Sequence, residues 1–197
     1  MDYIEYSYLW PPRPGSGRAI PKELLAIYQA KGWIAQLKKN GTCTVVFSRG
    51  DEVIFKTRHP ELHNGDHKMW KPSALHTAPF KGSPFWNVYV GELLNNKVTN
   101  GTKDTLYLFD KLVHNGNRLN GVPFIERYNL LKGVTTNEKV LVAENFEGNF
   151  KQLMANLGVD DEGLVLKDPN APLQTCKENS NQGWQVKCRK PHTNYKF

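Results

Sequence analysis

Apolar and polar positions alternate over most of this chain, and helical spacing is confined to short stretches. The run WIAQLKKNGTCTVVF, Trp33 to Phe47, carries an apolar lead into two lysines, then Asn40-Gly41, then a β-branched run. TVVF, the turn SRGDE and VIFKTR predict a hairpin, with Gly50 supplying the turn. FWNVYVGELL sets Phe85, Asn87 and Tyr89 against Trp86, Val88 and Val90, and LYLFDKLV, VLVAEN, EGLVLKDP and WQVKCRK read as further strands. Helices are expected in KELLAIYQAK, opened by Pro21 and stopped by Gly32, in PFIERYNLLK, and in NFKQLMANLG with Gly158 as its stop. Tyr3 to Trp10 alternates as an edge strand would and runs into the Pro/Gly-rich linker Pro11 to Gly17. Strands outnumber helices in mostly antiparallel order, which is an α+β pattern. It divides the chain into an N-terminal arm, residues 1–21, and one domain, residues 22–197.

Composition narrows the class. Hydrophobic residues make up 39% and charged residues 23% of 197, which suits one folded core. The net charge of +7 favours polyanions such as nucleic acid or nucleotide phosphates. Cys43, Cys176 and Cys188 form no C-x-x-C pair and no even framework, so reduced thiols are expected. Cys43 and Cys188 fall at alternating strand positions, where packing is the commoner fate. His59, His63 and His67 recur every four residues, but Pro60 and Asn64-Gly65 break the helix that would align them on a metal. That segment reads as a loop packed down by Trp70 and Phe80. No apolar run approaches a membrane span, and MDYIEYSYLW lacks the basic-then-apolar order of a signal peptide. A cytoplasmic monomer with no membrane partner is expected.

The chemistry gathers at strand ends. Lys38 stands where a strand meets a tight Gly turn, where lost solvent and cationic neighbours would turn its amine into a nucleophile. The plain alternative is a surface hairpin tipped by two solvated lysines. Arg58 ends the hairpin VIFKTR, Glu92 follows a glycine in GELL, Phe109 precedes Asp110, and Glu162 and Lys167 bracket EGLVLK. Lys187 and Arg189 alternate on one face of VKCR. Each also has an ordinary reading as a solvated strand end or, for Phe109, as core packing.

In order, KKNG, GELL, LYLFD, EGLVLK and VKCR resemble motifs I, III, IIIa, IV and V of the covalent nucleotidyltransferases: ATP-dependent DNA ligases, RNA ligases and mRNA capping guanylyltransferases. RGDEVIFKTRHPEL resembles the DNA-ligase hairpin after motif I, and PFIERYNLL the helix after motif IIIa. The similarity runs from about Trp33 to Lys190, and the order of the motifs carries it. It implies an ATP-grasp-like adenylation domain of mostly antiparallel sheets with flanking helices.

The resemblance also implies roles. Lys38 would attack the α-phosphate of ATP to give lysyl-AMP. A lysine at its ordinary pKa of ~10.4 is a poor nucleophile, so Lys187, Arg189 and a metal ion would favour the neutral amine and offset phosphate charge. Phe109 would stack on adenine, and Gln36 would meet its amine at a position where ligases often keep an acid. Glu92 would contact the ribose or help organise the metal. Glu162 would hold Mg²⁺ or Mn²⁺ or its water shell. Lys167 would touch the AMP phosphate or nucleic acid, and Arg58 the ribose or the incoming 5′-phosphate. The implied partner is nucleic acid with 5′-phosphate and 3′-OH ends.

Some residues depart from the DNA-ligase pattern. Asn40 stands where motif I has Asp, and Thr42-Cys43 replaces the usual residue-then-Arg. The chain stops soon after motif V, so no OB domain with motif VI is expected. Both features lean toward RNA ends, whereas the GELL to PFIERYNLL region leans toward DNA. Minimal phage-like ligases share this compactness, and virus-encoded members would act in the host cytoplasm. The alternatives are a GTP-dependent guanylyltransferase and a non-catalytic domain that binds nucleic-acid ends.

Overall fold

The computed structural model describes residues 19–57, 70–94, 98–173 and 183–190. The expected strand at Tyr3 to Trp10, the Pro-rich arm, Arg58, the spaced histidines and Cys176 lie outside these residues. The α+β class holds, with two sheets. Strands β1 (Ile34–Lys39), β8 (Asp161–Lys167) and β9 (Gln185–Arg189) make an antiparallel three-stranded sheet in the order β1-β8-β9. The second sheet runs β3 (Glu52–Thr57), β2 (Thr42–Arg49), β4 (Asn87–Leu94), β5 (Thr105–His114), β6 (Asn117–Arg118), with β7 (Val140–Val142) parallel to β5.

Helices flank the sheets: α1 (Leu25–Ala30) after a 3₁₀ turn at Lys22–Leu24, α2 (Ala74–Thr77), α3 (Phe124–Lys132) and α4 (Phe150–Ala155). Two expected boundaries shift. Helix α4 ends at Ala155 rather than at Gly158, because the Gly158 N–H donates instead to Asp161 Oδ2 at 2.9 Å and starts the turn into β8. Strand β4 begins at Asn87 rather than Phe85, whose ring is exposed while the Asn87 side chain bonds to Ser83 and Phe85.

The period of two decides which groups reach the site. On the three-stranded sheet Ala35, Leu164, Leu166 and Cys188 point one way and pack with Leu25 and Phe150 beside α1 and α4. The intervening residues face the other way, toward the six-stranded sheet. Register places Gln36 opposite Val165 and Val165 opposite Lys187. It places Lys38 opposite Gly163 and Gly163 opposite Arg189. A one-residue slip would bury these charges and expose the core.

Candidate active site

A pocket of about 460 Å³ opens between the two sheets. Lys38 is the penultimate residue of β1, and its Nζ lies 2.5 Å from Glu162 Oε2. Arg189 joins the same carboxylate oxygen at 3.7 Å from β9. A β-bulge explains how Glu162 gets there. Lys38 pairs with Gly163 and Lys39 with Asp161, so Glu162 is the extra residue, re-aimed toward Lys38. The bulge requires Gly163. Its φ is +152°, and a side chain there would run into the Cys188 carbonyl and Arg189 Cα.

Lys39 clamps the neighbouring position. Its Nζ bonds Asp161 Oδ1 at 2.7 Å and stands 5.0 Å from the centroid of the Tyr107 ring. The six-stranded sheet supplies the opposite wall. Cys43, Glu92 and Tyr107 lie in one cross-strand row, and all line the pocket. Glu92 Oε1 accepts the Gly41 N–H at 3.1 Å. A side chain at Gly41 would strike the Leu93 carbonyl, so the turn after the lysines must be glycine for this approach. Cys43 is half-buried, packing against the core of the six-stranded sheet and lining the pocket as well; Cys188 is fully buried as expected.

Phe109 also lines the pocket and packs partly against the core of the six-stranded sheet. Lys167, for which the sequence suggests a phosphate or nucleic-acid contact, also lines the pocket. Its side chain is 1% exposed, with Nζ 4.2 Å from the Phe124 ring centroid, 5.1 Å from that of Phe109, and donating to the Phe109 carbonyl at 3.2 Å. Burial pulls its pKa down to about 7, with Asp110 pulling it back up and Arg127 pushing it further down. Behind it Arg127 Nε and Nη2 each donate to an Asp110 oxygen at 2.9 Å, and Nη1 donates to the Val122 carbonyl at 2.7 Å. This bidentate pair is almost wholly buried and ties α3 to β5.

The structure thus brings Gln36, Lys38, Glu92, Phe109 and Lys167 to one pocket, with Glu162 bonded to Lys38 and Arg189 paired with Glu162. Lys187 stands opposite Val165 on the sheet face that carries Gln36. The sequence reading missed Tyr107, Gln185, Asn145 and the Lys39–Asp161 clamp. Alternation pointed to Tyr107 and Gln185, which sit two residues from Phe109 and Lys187. No sequence signal pairs Lys39 with Asp161. Among the described residues no cluster of three or more His, Cys, Asp or Glu side chains forms a metal cage. A hard cation that keeps waters and phosphate oxygens needs only one or two carboxylates, and Glu92 on the pocket wall and Glu162, paired with Lys38, are of that type.

The fold is that of solved DNA ligase domains. A mycobacterial DNA ligase D complexed with ATP and MES superposes with a TM-score of 0.65 at 18% identity, over 93% of this chain and 61% of that one. The ligase domain of M. tuberculosis LigD gives 0.60 at 18% identity over the same shares. A structure from work on Lig E DNA ligases gives 0.50 at 18% identity, over 81% of this chain and 62% of that one. The chain spans about six-tenths of the length of these structures. No family model and no curated protein sequence matches it. No helix among the described residues is long and apolar enough to cross a membrane.

Proposed function

We propose that the protein is an ATP-dependent polynucleotide ligase that works through a covalent lysyl-AMP. The observation that carries this reading is Lys38 at the pocket, its amine held by a bulge carboxylate beside an arginine. A pocket of about 460 Å³ lies in the range that holds a nucleoside. Phe109 offers it an aromatic wall, and Val165 lines the pocket too.

The first step joins Lys38 Nζ to the α-phosphorus of ATP and breaks the bond to pyrophosphate. The amine must shed a proton to attack; its contact with Glu162 Oε2 favours the ammonium, so the pair must open, and Lys187, Arg189 and the metal would favour the free amine. Arg189 and Lys187 then meet the phosphate charge that Lys38 no longer offsets. Magnesium or manganese, held by Glu162 with help from Glu92, would supply further charge neutralisation on the phosphate oxygens. In the second step the 5′-phosphate of a nucleic-acid end takes the AMP and Lys38 recovers its amine. In the third a 3′-OH attacks that phosphate, AMP leaves, and the strand is sealed. Arg58 is assigned to the ribose or the 5′-phosphate on its motif position alone. Motif I leans toward RNA ends, whereas the solved structures of this fold are named as DNA ligases.

Incubation with ATP and Mg²⁺ should raise the intact mass by one AMP, and Lys38→Ala should show no adduct. Absence of any adduct, or an adduct that persists in Lys38→Ala, overturns the reading. An adduct with GTP in place of ATP would assign the site to the guanylyltransferases. Salt-dependent binding to nicked duplex without an adduct would mark a non-catalytic end-binding domain. Matched nicks with ribose or deoxyribose on each side then decide the substrate.

A further inference from the structure

One polar contact at the pocket wall plays no part in the chemistry above. Gln36 is 2% exposed, and its Nε2 donates to Asn145 Oδ1 at 2.8 Å. Gln36 lines the pocket, whereas Asn145 stands behind it. Asn145 Nδ2 is buried and bonded to nothing among the described residues, so the pair is joined by one bond only.

The backbone fixes Asn145 in place. Next to the pair, Ala35 and Phe146 exchange both backbone hydrogen bonds, at 2.8 and 2.9 Å. Two residues before Asn145, the Ala143 N–H donates to the Leu108 carbonyl at 2.8 Å and the Ala143 carbonyl accepts the Tyr128 hydroxyl at 2.9 Å. Asn145 is therefore strapped beside Gln36 from both sides.

A glutamine amide has an acceptor end and a donor end, and the two are nearly the same size. Its choice of purine depends on which end it offers. Adenine carries an amine where guanine carries a carbonyl, so an acceptor suits adenine and a donor suits guanine. With Nε2 committed to Asn145, the acceptor end of Gln36 remains for the ligand. Turning Gln36 around requires Asn145 to turn as well and offer Nδ2, so the two amides flip together or not at all.

We infer that Asn145 is a positioning residue that sets which end of Gln36 meets the purine, and so makes the site prefer ATP to GTP. This rests on the adenylation reading above. A buried donor or acceptor left facing its like is strongly disfavoured, which is how a polar site rejects a mismatched ligand.

The test is competitive. Protein is incubated with equal ATP, GTP and Mg²⁺, and the ratio of AMP to GMP adducts is read by intact mass. The wild type should carry mostly AMP. Asn145→Leu removes the acceptor, and the ratio should fall roughly tenfold or more. Asn145→Asp keeps the acceptor and should hold the wild-type ratio. Gln36→Glu combined with Asn145→Leu should restore it, because a carboxylate has no donor end to present. A ratio from one sample is insensitive to the fraction folded, and Asn145→Ala carries the same measurement if the Leu variant does not fold. An unchanged ratio in Asn145→Leu, or no restoration by Gln36→Glu, overturns the inference. Those failures leave the AMP adduct in place, whereas failure of the ligase reading leaves the wild type with no adduct at all.

Discussion

The Lys38–Glu162 pair at the pocket and the Arg127–Asp110 pair behind Phe109 use the same kinds of charged group to opposite ends. The first is made through a single carboxylate oxygen, and both side chains keep about a fifth of their surface in solvent. Arg189 shares that oxygen at longer range, so the contact is exchangeable. The second is bidentate and 0% and 2% exposed, and the third guanidinium nitrogen is spent on a backbone carbonyl. The Phe124 and Trp184 rings lie 5.5 and 5.2 Å from its guanidinium carbon. A partly solvated pair costs little to open and suits a group that must change partners during a reaction. A desolvated pair with all three guanidinium nitrogens engaged cannot change partners without leaving a bare charge inside the protein. The site thus keeps its movable charge at Lys38, the proposed nucleophile, and its fixed charge underneath.

Breaking each pair in turn should separate the two roles. Lys38→Ala is expected to abolish the AMP adduct while shifting the urea unfolding free energy by no more than about 1 kcal/mol. A large loss of stability would show that the mouth pair is structural after all. Arg127→Met should have the reverse profile. It leaves Asp110 buried and uncompensated and is expected to cost about 3–5 kcal/mol in the same experiment. A variant with wild-type stability would contradict the division between the pairs.

Glu162→Gln tests the mouth from its other side. Glutamine keeps the shape but neither takes a proton readily nor offsets the lysine charge. The rate of adduct formation should fall about a hundredfold with folding nearly unchanged. A rate within a factor of two of wild type would remove Glu162 from the reaction.

The smallest effect concerns Lys167, which belongs to the fixed layer. Its folded pKa of about 7 lies below the ordinary 10.5, so between those values the unfolded chain binds the extra proton. Stability should therefore rise with pH through that window, by on the order of 1 kcal/mol per pH unit, and the cost of burying the ammonium is fully present below about pH 7. Lys167→Met should flatten the rise between pH 7 and 9. Lys111, lowered to about 8 by burial, adds a contribution of the same sign at higher pH, so some slope remains in the variant. An identical pH dependence in the two proteins would refute the buried position of the Lys167 amine.

Much of this arrangement was legible in the chain. Alternation in LYLFD, EGLVLK and VKCR divides each strand into a core side and a site side, because side chains on a strand must point to opposite faces. The glycines of KKNG and EGLVLK mark places where a backbone or a carboxylate comes too close for a side chain. Those are local properties. The motif order supplied the shared site, since each motif alone has an ordinary structural reading. For Lys167 the pocket position follows from the motif but the burial does not. A lysine at a strand end reads as a solvated or phosphate-binding group, and its burial under the Phe124 ring depends on α3, which lies some forty residues earlier. Cys43 packs against the core as its strand position suggests, and only the tertiary structure shows that it borders the pocket as well.

By itself the sequence determined the α+β class, the identity of the strands, the candidate nucleophile and the set of charged groups that face with it. Periodicity and turn chemistry act between near neighbours, and the chain carries them wherever it goes. Only the tertiary structure decided the partners. The bulge that turns Glu162 toward Lys38, the Lys39–Asp161 clamp and the Gln36–Asn145 bond each join residues more than a hundred positions apart. Such contacts exist only once β1 pairs with β8 and the segment after β7 docks on β1, because the register that makes them belongs to the paired segments and to neither alone.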